Sequence, residues 1–158
     1  MSLTVKTGVL IGVLCAAWTY VMGFTGWFKD PTLQAAFFLV ILIEVALLLW
    51  GLRQTADANT YGRQVMTGTT MAVIAAAIIF VNSLVFTMVV FPNYFQDLEQ
   101  AYRQVLRTQG RSEADIAEAI ARQASAQTPF VQAMQGAVGT IITGLVASLL
   151  IAIRYRRR

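Results

Sequence analysis

The sequence predicts an all-α protein, a four-helix transmembrane bundle with an extramembrane helical hairpin between helices 3 and 4. Three observations carry this. Hydrophobic residues make up 57% of the 158 and charged residues only 13%, about half the charged share of an ordinary soluble domain. Four apolar stretches reach the roughly 20 residues that a bilayer core about 30 Å thick demands. One further stretch, between the third and fourth, is polar but places its apolar residues at helical spacing. None of the long stretches shows strand alternation, and a bilayer leaves helices as the way to satisfy every backbone polar group within the segment.

The first span is expected over 7–28. Lys6 and Cys15-Ala16-Ala17 give it the look of a signal peptide. The apolar run, however, continues to Phe28, beyond the roughly 7–15 residues of a signal core. Leu14 also occupies a place where lipoprotein processing wants a small residue. The sequence therefore predicts a retained helix. Lys29-Asp30-Pro31-Thr32 makes a link short enough to force an antiparallel pair, with Asp30 placed to cap the second helix and Pro31 suited to its first position. The second span is expected over 33–52.

Residues 53–64 hold Asp57, Asn59 and Gly62 without an apolar period and read as a solvated loop. The third span is expected over 65–91. In the next link, Phe95, Leu98, Tyr102 and Val105 recur at three- and four-residue spacing, which predicts an amphipathic helix over 93–108. Gly110 stops it. Ser112 with Asp115 three residues on starts a second helix over 113–126, in the manner of a capping box with a shorter acid, and Ile116, Ile120 and Ala124 form its stripe. Pro129 opens the fourth span, 130–153. The whole chain, 1–158, reads as one integral membrane domain.

Four spans place both termini on one side. That side carries Lys6, Arg53, Arg63, Arg154, Arg156, Arg157 and Arg158, seven basic residues, against five on the other: Lys29, Arg103, Arg107, Arg111 and Arg122. The positive-inside rule counts Lys and Arg near spans, so both termini are expected in the cytoplasm, with the protein multi-pass in a bacterial inner membrane. Arg154, Arg156, Arg157 and Arg158 lie beside a span and are expected at lipid headgroups. No basic-aromatic face appears outside the spans, so no nucleic-acid partner is expected.

Several residues fall in an order that resembles a known family. They are Gly51-Leu52-Arg53 closing the second span, Gly68 early in the third and Pro92-Asn93-Tyr94 after it. Gly110-Arg111-Ser112-Glu113-Ala114 with Ile116-Ala117 follows in the hairpin, then Gly144 and Ser148 in the fourth span. In this the chain is similar, over nearly its whole length, to the bacterial four-span membrane proteins grouped as domain of unknown function 4199. The resemblance implies an integral membrane protein and no activity.

Enzymatic chemistry has little to draw on. The chain has no histidine and one cysteine, which excludes imidazole metal ligation, Ser-His-Asp and Cys-His nucleophiles, and cysteine-pair redox work. No phosphate-cradling glycine loop or paired-Asp motif is present. No enzyme activity, metal or cofactor is expected. Cys15 reads as a small apolar filler.

Glu44 is the strongest single residue. It stands mid-way along the second span, where an ionised group costs about 2.5–3.5 kcal/mol. The 13 Leu, Ile, Phe and Val residues of that span offset this by about 4–8 kcal/mol, so insertion survives, but the acid needs a proton, water or a partner. Thr19, Asn82 and Thr140 fall at the same depth, roughly 14–17 Å from the outer helix ends at about 1.5 Å per residue, with Tyr20, Ser83 and Thr143 close by. Asn82 is the preferred partner, since its amide pairs with either protonation state. Glu44 reads first as a structural hydrogen bond that fixes packing or an oligomer, with the hydroxyls of the layer back-bonding to their own helices; the alternative is a proton- or cation-handling carboxylate.

Gly8, Gly12 and Ala16 run at four-residue spacing on the first span, and Gly136, Thr140, Gly144 and Ser148 on the fourth, which predicts close helix packing within the chain or a homodimer seam. Trp18, Trp27, Phe28, Trp50, Tyr94, Phe95 and Tyr155 sit near span ends as an aromatic belt. The function expected is that of a non-catalytic accessory, scaffold or assembly component, meeting the bilayer and a homo-oligomer or membrane-protein partner. The alternative is a small oligomeric transporter or channel that uses Glu44.

Overall fold

The computed structural model describes residues 1–124 and 127–155. No strand occurs among the described residues. Four helical segments are long and apolar enough to cross a membrane. They are α1 (Leu3–Thr25), a 3-10 segment Gln34–Phe38 running into α2 (Leu39–Gln54), α3 (Tyr61–Val85) prolonged by a π-helical turn Phe86–Val90, and α6 (Pro129–Arg154). Between α3 and α6 lie α4 (Tyr94–Thr108) and α5 (Glu113–Ala124). The expected hairpin end at 125–126 and the headgroup residues Arg156, Arg157 and Arg158 lie outside the described residues.

The core is inverted relative to a soluble protein. The buried residues of α6 are small: Ala133, Thr140, Gly144, Ala147, Ser148 and Ala152. Large side chains point outward instead, with Leu42 64%, Val81 60% and Leu150 65% exposed. Lipid offers no hydrophobic drive for helix association, so close backbone approach does the work. α3 is the axle, packed on α1 and α6, while α2 rests on α1 and α6. A Cβ on Gly8 would stand 2.7 Å from the Met71 carbonyl oxygen, and one on Gly12 2.8 Å from Ile78 Cβ. Gly68 faces Ser148 and Gly144 faces Ala72 in the same manner. Ile11, Cys15, Leu48, Met71, Ala75 and Ala147 fill the centre.

The first helix pair departs from expectation. Ser2 Oγ accepts from Val5 N–H at 3.4 Å and starts α1 early; Gly26, at φ +72°, ends it in a left-handed turn that glycine adopts without steric cost. Asp30 does not cap α2. Its carboxylate accepts from the Thr32 amide at 2.8 Å and hydroxyl at 2.7 Å, closing a local turn, and the chain then winds as a 3-10 helix for five residues. Trp18 Nε1 donates to the Ala36 carbonyl at 2.9 Å and ties this segment to α1. A 3-10 helix rises about 2.0 Å per residue, so Glu44 sits deeper below Leu33 than a continuous α-helix would place it.

The link after α2 is only in part a solvated loop: Asp57 and Gly62 are exposed, but two amides are not. Gln64 is fully buried and Asn59 only 8% exposed. Gln64 Nε2 donates to the Leu52 carbonyl, and Gln64 Oε1 accepts from Asn59 Nδ2 and Thr55 Oγ1, each at 3.0 Å. One glutamine thus ties the start of α3 to the end of α2, sharing the Leu52 carbonyl with the Thr55 amide and hydroxyl.

α4 ends in a Schellman motif. Gly110, at φ +75°, donates to the Arg107 carbonyl at 3.0 Å, and Arg111 N–H reaches the Leu106 carbonyl at 3.2 Å. Ser112 Oγ accepts from Asp115 N–H at 3.2 Å and donates to the Asp115 carboxylate at 2.7 Å. The short acid thus meets the cap hydroxyl and not the cap amide. α4 and α5 pack through Leu106, Ile116 and Ile120; Leu106 lies outside the stripe that the spacing suggested. Lys29 Nζ pairs with Asp97 Oδ2 at 2.7 Å, holding α4 to the α1–α2 link. At the other end Arg53 lies over the Tyr155 ring, 5.8 Å from its centroid.

Candidate functional site: a cavity around Glu44

Glu44 faces inward. It is 4% exposed, and its Oε1 is buried without a hydrogen-bond partner. The carboxylate lines a cavity of about 360 Å³ whose walls come from all four spans. Thr19, Asn82, Ser83, Thr140 and Thr143 line the same cavity. Tyr20 does not. Its ring stacks on Phe24 at 6.2 Å and meets the cavity-lining Phe86 edge-on at 5.6 Å, so it backs the wall without lining it.

The layer is gathered but not bonded as expected. Asn82 lines the cavity, yet no hydrogen bond joins it to Glu44 Oε1. Several hydroxyls turn to their own helices. Thr19 Oγ1 donates to the Cys15 carbonyl at 3.0 Å, Thr87 Oγ1 to Ser83 at 2.8 Å and Ser148 Oγ to Gly144 at 2.6 Å. This is the i−4 back-bonding common to Ser and Thr in membrane helices. Cys15 is more than a filler, since its Sγ lies 3.7 Å from the Val40 carbonyl and joins α1 to the turn before Glu44.

Gly144 makes the room. A Cβ there would stand 3.0 Å from Glu44 Oε1 and would overlap the Ala72 side chain. Gly136 is looser, with Ile79 Cγ2 3.4 Å from an added Cβ, and lines the cavity. At the upper end of α3 the π turn, closed by Phe91 N–H on the Phe86 carbonyl at 2.8 Å, carries the buried Phe86 and Thr87 into the cavity wall. Such turns are frequent at functional sites. Sequence periodicity gives no sign of one.

The cavity does not end there. Thr19, Phe37, Phe38, Phe86 and Gln132 are shared with a second chamber of about 470 Å³, walled also by Phe28 and Tyr94. Pro31, Gln34, Leu98 and Gln132 are shared in turn with a third of about 530 Å³ beneath α4, which adds Gln123, Gln127 and Lys29. These glutamines were not singled out from the sequence, because a neutral amide outside an apolar stripe carries no pattern. Gln132 Nε2 donates to Tyr94 Oη at 3.5 Å. Burial pushes the Tyr94 phenol up, an effect that the Gln132 bond partly offsets, so it stays neutral at physiological pH. No cluster of metal-ligating side chains occurs among the described residues.

The fold and site define an all-helical protein with four helices fit to cross a membrane and, between them, a largely apolar cavity that holds one buried carboxylate. The family model described as protein of unknown function (DUF4199) matches residues 6–157, and the chain belongs to that family. No curated protein and no solved structure matches it.

Proposed function

We propose that the protein is a non-catalytic, multi-pass protein of a bacterial inner membrane whose work is done at Glu44, where the bundle takes up and releases a proton or a small cation. The observation that carries this is the Glu44 carboxylate, with one oxygen unpartnered and buried at the wall of a cavity. An unpaired polar atom in a low-dielectric interior carries a desolvation cost, and a structural role would have closed a hydrogen bond on Asn82. This favours the transporter or channel reading over that of an accessory or scaffold component. The small faces that a homodimer seam would need are occupied within the chain at Gly8, Gly12 and Gly144. The bilayer is the partner, a second copy would serve to complete a path across it, and no nucleic acid is involved.

The arginine count places both termini in the cytoplasm, with the α4–α5 pair and the glutamine-lined chamber on the outer side. Arg154 then meets the inner headgroups. The test is proton flux in proteoliposomes loaded with a pH-sensitive dye. The wild-type protein should conduct or exchange protons under a cation gradient, and Glu44→Gln should abolish the signal. Flux unchanged in Glu44→Gln, or no flux in the wild type, would contradict the reading.

A further inference from the structure

We propose that the ligand of the Glu44 cavity is a small organic ammonium ion with an apolar or aromatic body. This rests on the reading of Glu44 as a cation-handling carboxylate and narrows it to a chemical class.

Charge sets the sign. No Lys or Arg lines the cavity, and Glu44 is its one acid. The nearest chamber that holds a cation is the outermost, where Lys29 is already paired with Asp97 at 2.7 Å. A positive ligand is therefore the one that meets an unopposed carboxylate.

Size and wall chemistry set the class. A bare proton needs no cavity, and a hard multivalent cation calls for several carboxylates. Here Glu44 is the one carboxylate, no cluster of metal-ligating side chains occurs among the described residues, the other polar groups are neutral hydroxyls and amides, and much of the wall is carbon. Its volume of about 360 Å³ falls within the roughly 300–1,000 Å³ of small-molecule sites. Phe37, Phe38 and Phe86 stand between Glu44 and the second chamber. Aromatic faces attract a cation and bury an apolar body. An ammonium group brings three donors, enough for one carboxylate oxygen and two neighbouring oxygens. Phe38, 63% exposed, stands at the rim that such a body would cross.

The experiment is calorimetric titration of the full-length protein in detergent, with heats corrected for micelles alone. The probes are phenethylammonium, its neutral analogue 2-phenylethanol, and potassium ion. Phenethylammonium should bind saturably, at least about tenfold tighter than the alcohol. Glu44→Gln should remove that preference and leave alcohol binding unchanged, which also reports that the variant is folded. Glu44→Asp should keep the preference, and Phe38→Ala should weaken both organic probes alike. Equal affinity for amine and alcohol, or potassium binding tighter than the amine, would overturn the proposal. Proton flux lost in Glu44→Gln together with no amine binding would overturn the ligand class and leave the reading of Glu44 standing. Amine binding that needs Glu44 in a protein with no flux would do the reverse.

Discussion

Glu44 Oε1 lies 3.0 Å from the point where a Cβ on Gly144 would stand. The missing methyl is what lets a carboxylate turn inward from α2 onto α6 at this level. The same hydrogen-for-methyl exchange lets α6 close on Ala72 of α3.

Gly144→Ala tests this directly. The new Cβ overlaps Ala72 and crowds Glu44, so the change should lower stability by about 1–3 kcal/mol, as overpacking does. Thermal unfolding in detergent checks it. The paired change with Ala72→Gly should recover part of the loss, because it removes the group struck first.

Gln64 supports a second prediction. Its side chain is fully buried and holds the Leu52 carbonyl, Asn59 and Thr55. Gln64→Leu keeps the volume but strands the Asn59 side-chain amide, while the Leu52 carbonyl keeps the Thr55 amide and hydroxyl; one buried orphan costs about 1–3 kcal/mol. A melting midpoint equal to the wild type would show that water satisfies it. Amide exchange at the α2–α3 link should rise in the variant, since that link loses its internal staple.

Much of the fold was legible in the sequence because its spans are long and apolar and its caps are local. Ser112 with Asp115, Gly110 and Pro129 each act within one helical turn, so position alone marks them. Gln64 and the Gln34–Phe38 segment were not legible. Gln64 works through the Leu52 carbonyl twelve residues away and through side-chain donors on Thr55 and Asn59, and the 3-10 winding depends on the turn at Asp30 and the Trp18 bond. In the site, depth along helices brought Glu44, Asn82, Thr19, Ser83, Thr140 and Thr143 to one level. Depth says nothing about rotation, and rotation is what turns Tyr20 away and leaves Asn82 unbonded to Glu44.

Topology gives a third prediction. With Cys15→Ala as background, single cysteines at Gly62, in the first turn of α3, and at Gln109, after α4, stand at opposite ends of the bundle; both positions are exposed, and a Cβ at Gly62 meets nothing within 4 Å. A membrane-impermeant maleimide applied to intact cells should label Gln109→Cys and spare Gly62→Cys. The opposite pattern would invert the orientation and put the glutamine-lined chamber in the cytoplasm.

Glu44, as proposed, is a carboxylate open to a solute within the bundle. A hydrophobic carbodiimide, which adds covalently to carboxylic acids, tests it most directly when the modified residue is located by peptide mass spectrometry. The account predicts adduct at Glu44 in the membrane-embedded protein, reduced about tenfold or more by saturating phenethylammonium. Labelling at Glu44 that the amine does not alter, or none there while the exposed Glu113 and Glu118 react, would contradict it.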